Sequence, residues 1–416
     1  MRIAVIGAGI VGVSTAEWLR RDAHEVTLID RIEPGGPEQT SYGNAGILAS
    51  SGIIQVAVPG LPAKAPKMLA DPLGPLHLRW RYLPRLLPWL VPFLRRATAR
   101  QVERTAHALA DLLGDSVDQH KALARGTPAE RFIREGPYAH LYRSRADYEA
   151  DAAWHAIRRA HGFRVEERDR TRLLQDDPYL GERYAFAACW LDHGWITDPG
   201  AYVAALADHF RRHGGAFLRG DVTDLRPAGD GVDVTVAGET RPFDRAVLSA
   251  GAWSATLARR LGHDPKLESE RGYHLVLRGP NRRPPFPYSL ADGKFVATPM
   301  DAGLRAAGQV EFGGFDPRLS EKPFRVFRTR LCQLYPDLEW EGEERWLGHR
   351  PSTIDSLPLI GPSPRAPAIH FAFGAQHVGL TSGPRTGRLI ADLVAGRTPN
   401  IDIRPFRVGR FDRTAA

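Results

Sequence analysis

Three glycines and an aspartate near the start of this 416-residue chain carry its first legible chemistry. In Gly7-Ala8-Gly9-Ile10-Val11-Gly12, Gly7 permits a tight turn and Gly9 lets backbone approach a pyrophosphate. Gly12 lets a helix pack close to a strand. The unpaired N–H groups and positive dipole end of that helix suit phosphate. Asp30 stands where a carboxylate accepts two ribose hydroxyls, which favours a ribose without a 2′-phosphate, and Arg31 follows it in the same site. A second focus is Arg350 in Gly348-His349-Arg350-Pro351, read as a turn between apolar strands. An arginine in such a turn argues against a surface charge and for a functional one.

These residues need elements to hold them. Arg2 to Ile6 is a short apolar run with the pattern of a buried parallel strand, and a helical pattern runs on through Trp18 and Leu19 to Arg21. Glu25 to Ile29 is a second strand ending on Asp30. Strand, glycine turn, helix, strand and acid complete a dinucleotide-binding βαβ unit, a much stronger signal than the glycines alone. Thr40 to Leu48 is small and polar before it turns apolar. A loop that plunges inward so quickly beside a nucleotide site lines it, through Ser41, Asn44, Ala45, Gly46 and Ile47.

Further along, residues 99 to 124 are expected to form one long amphipathic helix, and 146 to 160 another, after a short strand at 139 to 142. Asp198 is a good N-cap and Pro199 a good first helical residue for a helix to Arg212. Three short strands follow, with Gly229-Asp230-Gly231 as a hairpin turn. Arg245 to Ser249 is a buried strand running into Ala250, Gly251 and Trp253, which brings bare backbone to the sheet's carboxyl edge. From Lys266 onward the alternation is that of a half-covered antiparallel sheet, with a helix near 324 to 334. A strand over 368 to 373 then meets a second glycine-bearing turn, and a helix from Pro384 to Val394 closes the fold.

Composition narrows the function classes. A formal charge of +8 suits anionic ligands or a membrane surface, but the basic residues are scattered, which argues against nucleic acid. Cys189 and Cys332 lie outside any metal-ligand spacing and are read as packed thiols of a reducing compartment. No apolar run of transmembrane length is present, and a strand beginning at residue 2 leaves no room for a signal peptide. The segment from 76 to 96 is unusual: it crowds Trp80, Tyr82, Leu87, Trp89, Val91 and Phe93 among five arginines and no acid. Pro84, Pro88 and Pro92 make a long regular helix doubtful there. Its composition is that of an interfacial membrane element, or of short helices packed on the protein with arginines snorkelling outward.

The sequence resembles the D-amino-acid oxidase/dehydrogenase (DAO) family of flavoproteins, in the branch of glycine oxidase, sarcosine oxidase and bacterial D-amino-acid dehydrogenase. The resemblance rests on Gly7 to Gly12 with Asp30, Ser41 to Gly46, Ala250 to Trp253, Gly348 to Pro351 with Leu357 to Gly361, and Gly374 to Thr381. Glu270 to His274 is similar to a D-amino-acid or D-hydroxyproline dehydrogenase subgroup. It implies FAD, held without a covalent link because no cysteine follows Cys332. It places Val222 at the adenine, and Gly374, Ala375, Gln376, His377, Val378, Gly379, Leu380 and Thr381 against the isoalloxazine. It makes Arg350 the carboxylate-binding residue and His377 a second substrate contact, although a turn histidine satisfied by backbone is an equal reading. Tyr273 and His274 alternate on a strand, so only one faces the flavin; Tyr273, able to pair with Arg350 on a carboxylate, is favoured. Arg271 shares its face, to assist or to form a salt bridge.

The expected fold is therefore α/β, a Rossmann-like FAD-binding domain with an α+β substrate domain on an antiparallel sheet. Residues 1–60, 146–262 and 344–416 are assigned to the first, 61–145 and 263–343 to the second. The expected activity is dehydrogenation of a D-amino acid or a cyclic imino acid of the proline or hydroxyproline type, with electrons passed to a quinone or other acceptor. Alternatives are an oxygen-using oxidase, or a flavin subunit active only in a hetero-oligomer. The expected location is cytoplasmic, with peripheral membrane contact through 76–96.

Overall fold

The computed structural model describes residues 1–412. The sequence opens as expected with β1 (Arg2–Ile6), α1 (Ile10–Arg21) and β2 (Glu25–Asp30). Ile3 and Val5 bury into a helical core, whereas Ala4 and Ile6 bury into a separate cluster on the opposite face. A strand covered on both sides needs an unbroken apolar run, which is why β1 shows no alternation. The first sheet runs 216–219, β2, β1, 245–248, 366–373 and 359–363, parallel except for its last pair. Helices α1, Pro199–Arg212 and Gly379–Val394 cover one face. The meander Val222–Ala228, Gly231–Val236 and Glu239–Phe243 packs on the other. Asp198 does cap its helix, accepting from Ala201 N–H at 3.0 Å.

The second sheet is large and mostly antiparallel. Its strands lie in the order Gly342–Thr353, Leu267–Arg278, Gly303–Phe312, Phe295–Met300, Tyr288–Leu290, Tyr138–Tyr142, Phe186–Trp190, Val165–Asp169. Helix Glu321–Leu334 seals one face, packing Phe324, Phe327 and Leu331 with Tyr273, Leu275 and Leu277 of the long central strand.

Several sequence expectations are corrected here. The strands Val165–Asp169 and Phe186–Trp190, and residues 344–353 of the strand Gly342–Thr353, fall in the part assigned to the nucleotide but belong to the second sheet. The segment 99–124, assigned to the substrate part, packs in the helical core of the first sheet through Ala106, Leu109, Leu112 and Leu123. It is also two helices, Ala99–Leu113 and Ser116–Ala124, parted at Gly114, a residue that costs helix stability. The helix expected over 146–160 divides likewise into Arg145–Glu149 and Ala152–Ala160. Leu83–Leu94 is helical despite Pro88 and Pro92, because both prolines sit on its outer side where carbonyls left without an N–H donor meet water. The closing helix starts at Gly379, not Pro384. The N–H that Pro384 lacks would have met Leu380 O, and His120 Nε2 takes that carbonyl instead at 2.9 Å. Cys332 is exposed, so only Cys189 is a packed thiol.

Candidate active site

The carboxyl ends of β1, β2 and the strand Arg245–Leu248 open on a cavity of about 420 Å³. Gly7 turns the chain at φ +100°, and a side chain there would meet Ser249 O at 2.5 Å. Asp30 accepts from Ala8 N–H at 2.7 Å and from Gln39 Nε2 at 3.1 Å, which ties the glycine turn to the loop that follows. Ser41 Oγ accepts from Ile10 N–H at 3.0 Å and caps α1 from outside, leaving the next N–H groups without intrahelical partners. Gly7, Gly9, Ile10, Val11, Asp30, Arg31, Ser41 and Asn44 all line this cavity. So do Val222, Ala250, Gly251 and Trp253 from the far wall, and Gly374, Ala375, Gln376, Gly379 and Leu380 from the second glycine turn. The Arg31 guanidinium lies 4.3 Å over the Trp253 ring.

Two expected contacts lie behind this wall. A Cβ on Gly12 would fall 1.7 Å from Gly7 O, so Gly12 serves helix–strand packing and does not line the cavity. Gly46, at φ +78°, turns the loop against Ile196 O and Met300 and lines neither cavity.

A second cavity, about 480 Å³, shares Thr40, Asn44 and Gln376 with the first. Ala45, Ile47, His377, Val378 and Thr381 line it from one side and the second sheet from the other. Thr381 accepts from Ala49 N–H and donates to Ile47 O, both at 3.2 Å, which fastens the second turn to the Thr40–Leu48 loop. The sheet grips the same loop from below. Arg305 donates to Asn44 O at 2.7 Å and to Tyr42 O at 3.1 Å, and Thr298 donates to Ala45 O at 2.9 Å. Trp346 donates to Pro37 O at 2.6 Å, and its ring fills the space that glycines at 43 and 348 leave free.

Arg350 faces this cavity, from a position within the strand Gly342–Thr353 and not in a turn. It pairs in register with Glu270 of the neighbouring strand, and its Nη1 donates to Glu270 Oε1 and to Gln309 O, each at 2.8 Å. Nη2 donates to Gly308 O at 3.0 Å. The guanidinium lies flat over Gly272, where a Cβ would come within 2.4 Å of Cζ. These contacts leave the Nε–H and one Nη2–H without a partner among the described residues, which is the side-on pair a carboxylate takes. His377 Nε2 stands 2.9 Å from the same Glu270 oxygen, and Ser352 Oγ donates to the other at 3.2 Å. Burial alone would raise the Glu270 carboxyl, but His377 and Arg350 together outweigh it and hold the group down at about 2.

Tyr273 lines the second cavity, but its hydroxyl does not pair with Arg350 as the alternation suggested. Arg271 and Tyr273 do share a face, but it turns toward Glu311: Tyr273 donates to Glu311 Oε2 at 2.5 Å and Arg271 pairs with the same oxygen at 2.7 Å. Glu270, Gly272 and His274 take the opposite face, where His274 stacks on Trp346 at 5.1 Å and bonds to Gly43 O. The tyrosine hydroxyl is therefore committed to Glu311 and not to Arg350, because the adjacent strand supplies a buried carboxylate that the sequence pattern cannot place. Sequence reasoning also missed the role of Glu270 and the flat bed at Gly272. Both were legible as a Glu-x-Gly pair on the strand opposite Arg350, had the pairing been known.

Comparison with known proteins agrees with this architecture. The profile of the DAO family, FAD dependent oxidoreductase, matches residues 2–393. The chain is 41% identical over 416 residues to a D-amino-acid oxidase of Bradyrhizobium diazoefficiens, covering 98% of each. It is 30% identical to a D-amino acid dehydrogenase of Sinorhizobium medicae, over 99% of this chain and all of the other. Among solved structures, glycine oxidase from Geobacillus kaustophilus superposes with a TM-score of 0.74 at 22% identity, covering 98% and 99% of the two chains. L-proline dehydrogenase from P. horikoshii does so at 0.74 and 17%, covering 99% and 98%. With two facing glycine cradles on one cavity and a family match along nearly the whole sequence, the chain belongs to the DAO family of FAD-dependent oxidoreductases.

Proposed function

We propose that the protein oxidises the Cα–N bond of a D-amino acid or cyclic imino acid to an imine, with Arg350 holding the substrate carboxylate. The observation that carries this reading is the Arg350 guanidinium, fixed by Glu270, Gln309 O and Gly308 O with its free edge on the second cavity. Relatives named D-amino-acid oxidase and D-amino acid dehydrogenase, at 41% and 30% identity, support the substrate class. Bound FAD supplies the two-electron acceptor for the substrate's Cα–H. Gly7, Gly9, Val11 and Ser41 would hold its phosphates, Asp30 its ribose, Val222 and Trp253 its adenine end, and Gly374 to Thr381 its redox ring. The residues fit, since the cradle is bare backbone at Gly7, where a Cβ would strike Ser249 O.

The chain's own contribution is placement. Arg350 fixes the carboxylate, and the flat seat at Gly272 keeps the guanidinium from tilting. His377, whose Nε2 stands 2.9 Å from the Glu270 oxygen that also holds Arg350, lines the same cavity and supplies a second polar contact beside the carboxylate seat. Thr40, Asn44 and Gln376, at the junction of the two cavities, bound the reacting region.

Arg350→Met is expected to lower kcat/KM for every carboxylate substrate by about 10²–10³-fold, the cost of losing a buried charge-assisted pair, with the FAD spectrum unchanged. Unaltered kinetics would remove its role. The same assay, run in air with and without a dye acceptor, separates two acceptors. The exposed face of Trp80, Leu87 and Val91 supports a membrane quinone, whereas the 41% identical relative named an oxidase supports oxygen. Peroxide formation without dye decides for oxygen.

A further inference from the structure

The second cavity carries more positive charge than one carboxylate requires. Among the described residues, three cations line it, Arg350, Arg158 and Lys294, and no Asp or Glu does. The charge of Arg350 is already met by Glu270. Arg158 has no carboxylate within salt-bridge distance among the described residues. Its Nε donates to Ser51 O at 3.0 Å and its Nη1 to Trp154 O at 3.4 Å, while the guanidinium lies 5.3 Å over the Trp190 ring. Carbonyl bonds and an indole face fix the group in place without neutralising it. Asp151, just before the helix that carries Arg158, acts on it only at longer range and accepts from Tyr142. Lys294 sits at the tip of a tight hairpin at φ +49° and is exposed. Its neighbour Asp292 is committed to Arg183 and Tyr184.

The surroundings of these two cations are donors. Tyr138, His140 and Ser289 line the same end of the cavity, on paired strands with Ser289 in register with His140. Burial and the Arg158 charge hold His140 neutral, far below the ordinary histidine range. The strands carrying Arg350, Gly272, Gly308, Val296, Ser289 and His140 are successive neighbours in the sheet. The guanidinium of Arg350 already reaches Gly308, so three strand spacings separate it from His140, roughly 14 Å. A five-carbon dicarboxylate with a charge-assisted hydrogen bond of about 2.8 Å at each end reaches across most of that distance, toward the end that Arg158 and Lys294 also line.

We propose that this end of the cavity is an anion subsite, in which Arg158 and Lys294 receive the side-chain carboxylate of an acidic D-amino acid whose α-carboxylate rests on Arg350. The proposal builds on the function above and narrows its substrate to D-amino acids with a carboxylate side chain. A neutral side chain of the same length leaves the Arg158 guanidinium unpaired in a partly desolvated site, which costs binding.

Steady-state kinetics of the FAD-loaded enzyme with D-glutamate and D-glutamine test it. The wild type is expected to favour D-glutamate in kcat/KM by at least about tenfold, a ratio that falls toward one in Arg158→Met and stays intermediate in Arg158→Lys. A wild-type ratio of one or below overturns the subsite, as does a ratio that Arg158→Met leaves unchanged. A second measurement needs no turnover: glutarate and butyrate are titrated against the flavin absorbance spectrum. Tighter binding of glutarate, lost in Arg158→Met, supports the subsite even where no D-amino acid is oxidised, a result that overturns only the proposed function. Oxidation of neutral D-amino acids with no preference for glutarate overturns only the subsite.

Discussion

Glu270 is 3% exposed and shares one carboxylate oxygen between Arg350 and His377. It keeps the guanidinium in one orientation and ties the strand of Arg350 to the turn that carries His377. A carboxylate held at about 2, against an ordinary 4.5, contributes stability that is fully present above pH 4.5 and is lost as pH falls through 2. The shift corresponds to about 3 kcal/mol. Glu270→Gln is therefore expected to lower the unfolding free energy at neutral pH by about that amount, with wild type and variant converging near pH 2. Urea denaturation across that range measures it, and a gap that persists at pH 2 would assign the effect to packing.

At the scale of elements, the cofactor cradle depends on how closely α1 meets the closing helix Gly379–Val394. Gly383 and Gly387 of that helix, one turn apart, face Ile10 and Ser14, and a Cβ on Gly387 would stand 2.7 Å from Ser14 C and Thr15 N. That closeness brings both helix N-termini to one cavity. Pro384 lies between the two glycines, and the carbonyl it frees goes to His120, so the proline does not weaken the joint. Gly387→Ala should force the helices apart at a cost of about 1–3 kcal/mol and loosen FAD. A lowered melting temperature together with release of flavin on gel filtration checks this, and full flavin retention would show that the joint tolerates a methyl group.

At the scale of the molecule, the two cavities lie between the first sheet and the second, so cofactor cradle and substrate floor come from different cores. The helix Leu83–Leu94 packs beside the second sheet, where Trp89 Nε1 donates to Ser352 O at 3.0 Å. It buries Leu86, Trp89 and Phe93 in a small cluster with Ala57, Phe312 and Ile354 and leaves Leu87 and Val91 exposed, with Trp80 beside it 67% exposed. Among the described residues, no helix is long and apolar enough to cross a membrane. Of the arginines in this segment, Arg79 is tied to Asp316 and Glu311, so it belongs to the structure and not to the free face. Arg81, Arg85 and Arg95 are exposed. The proposed membrane contact then predicts that replacing these three with serine at least halves co-sedimentation with anionic vesicles. Absence of binding by the wild type would end that reading.

The βαβ unit, its glycine turn, Asp30 and the second turn at Gly374 to Thr381 were all legible in the sequence. They depend on local backbone conformation and on short apolar runs, which a linear pattern records. That Arg350 is not a surface charge was legible too, although it lines a cavity from within a strand and not from the turn expected. What faces what was not. Tyr273 was given a role that its strand could support, and the neighbouring strand turned it toward Glu311. Glu270, Gly272 and Arg158 became site residues only when strands and helices far apart in the chain came together. Partners across a sheet are set by register, and register between distant strands is fixed by the assembled core, which no single stretch of sequence contains.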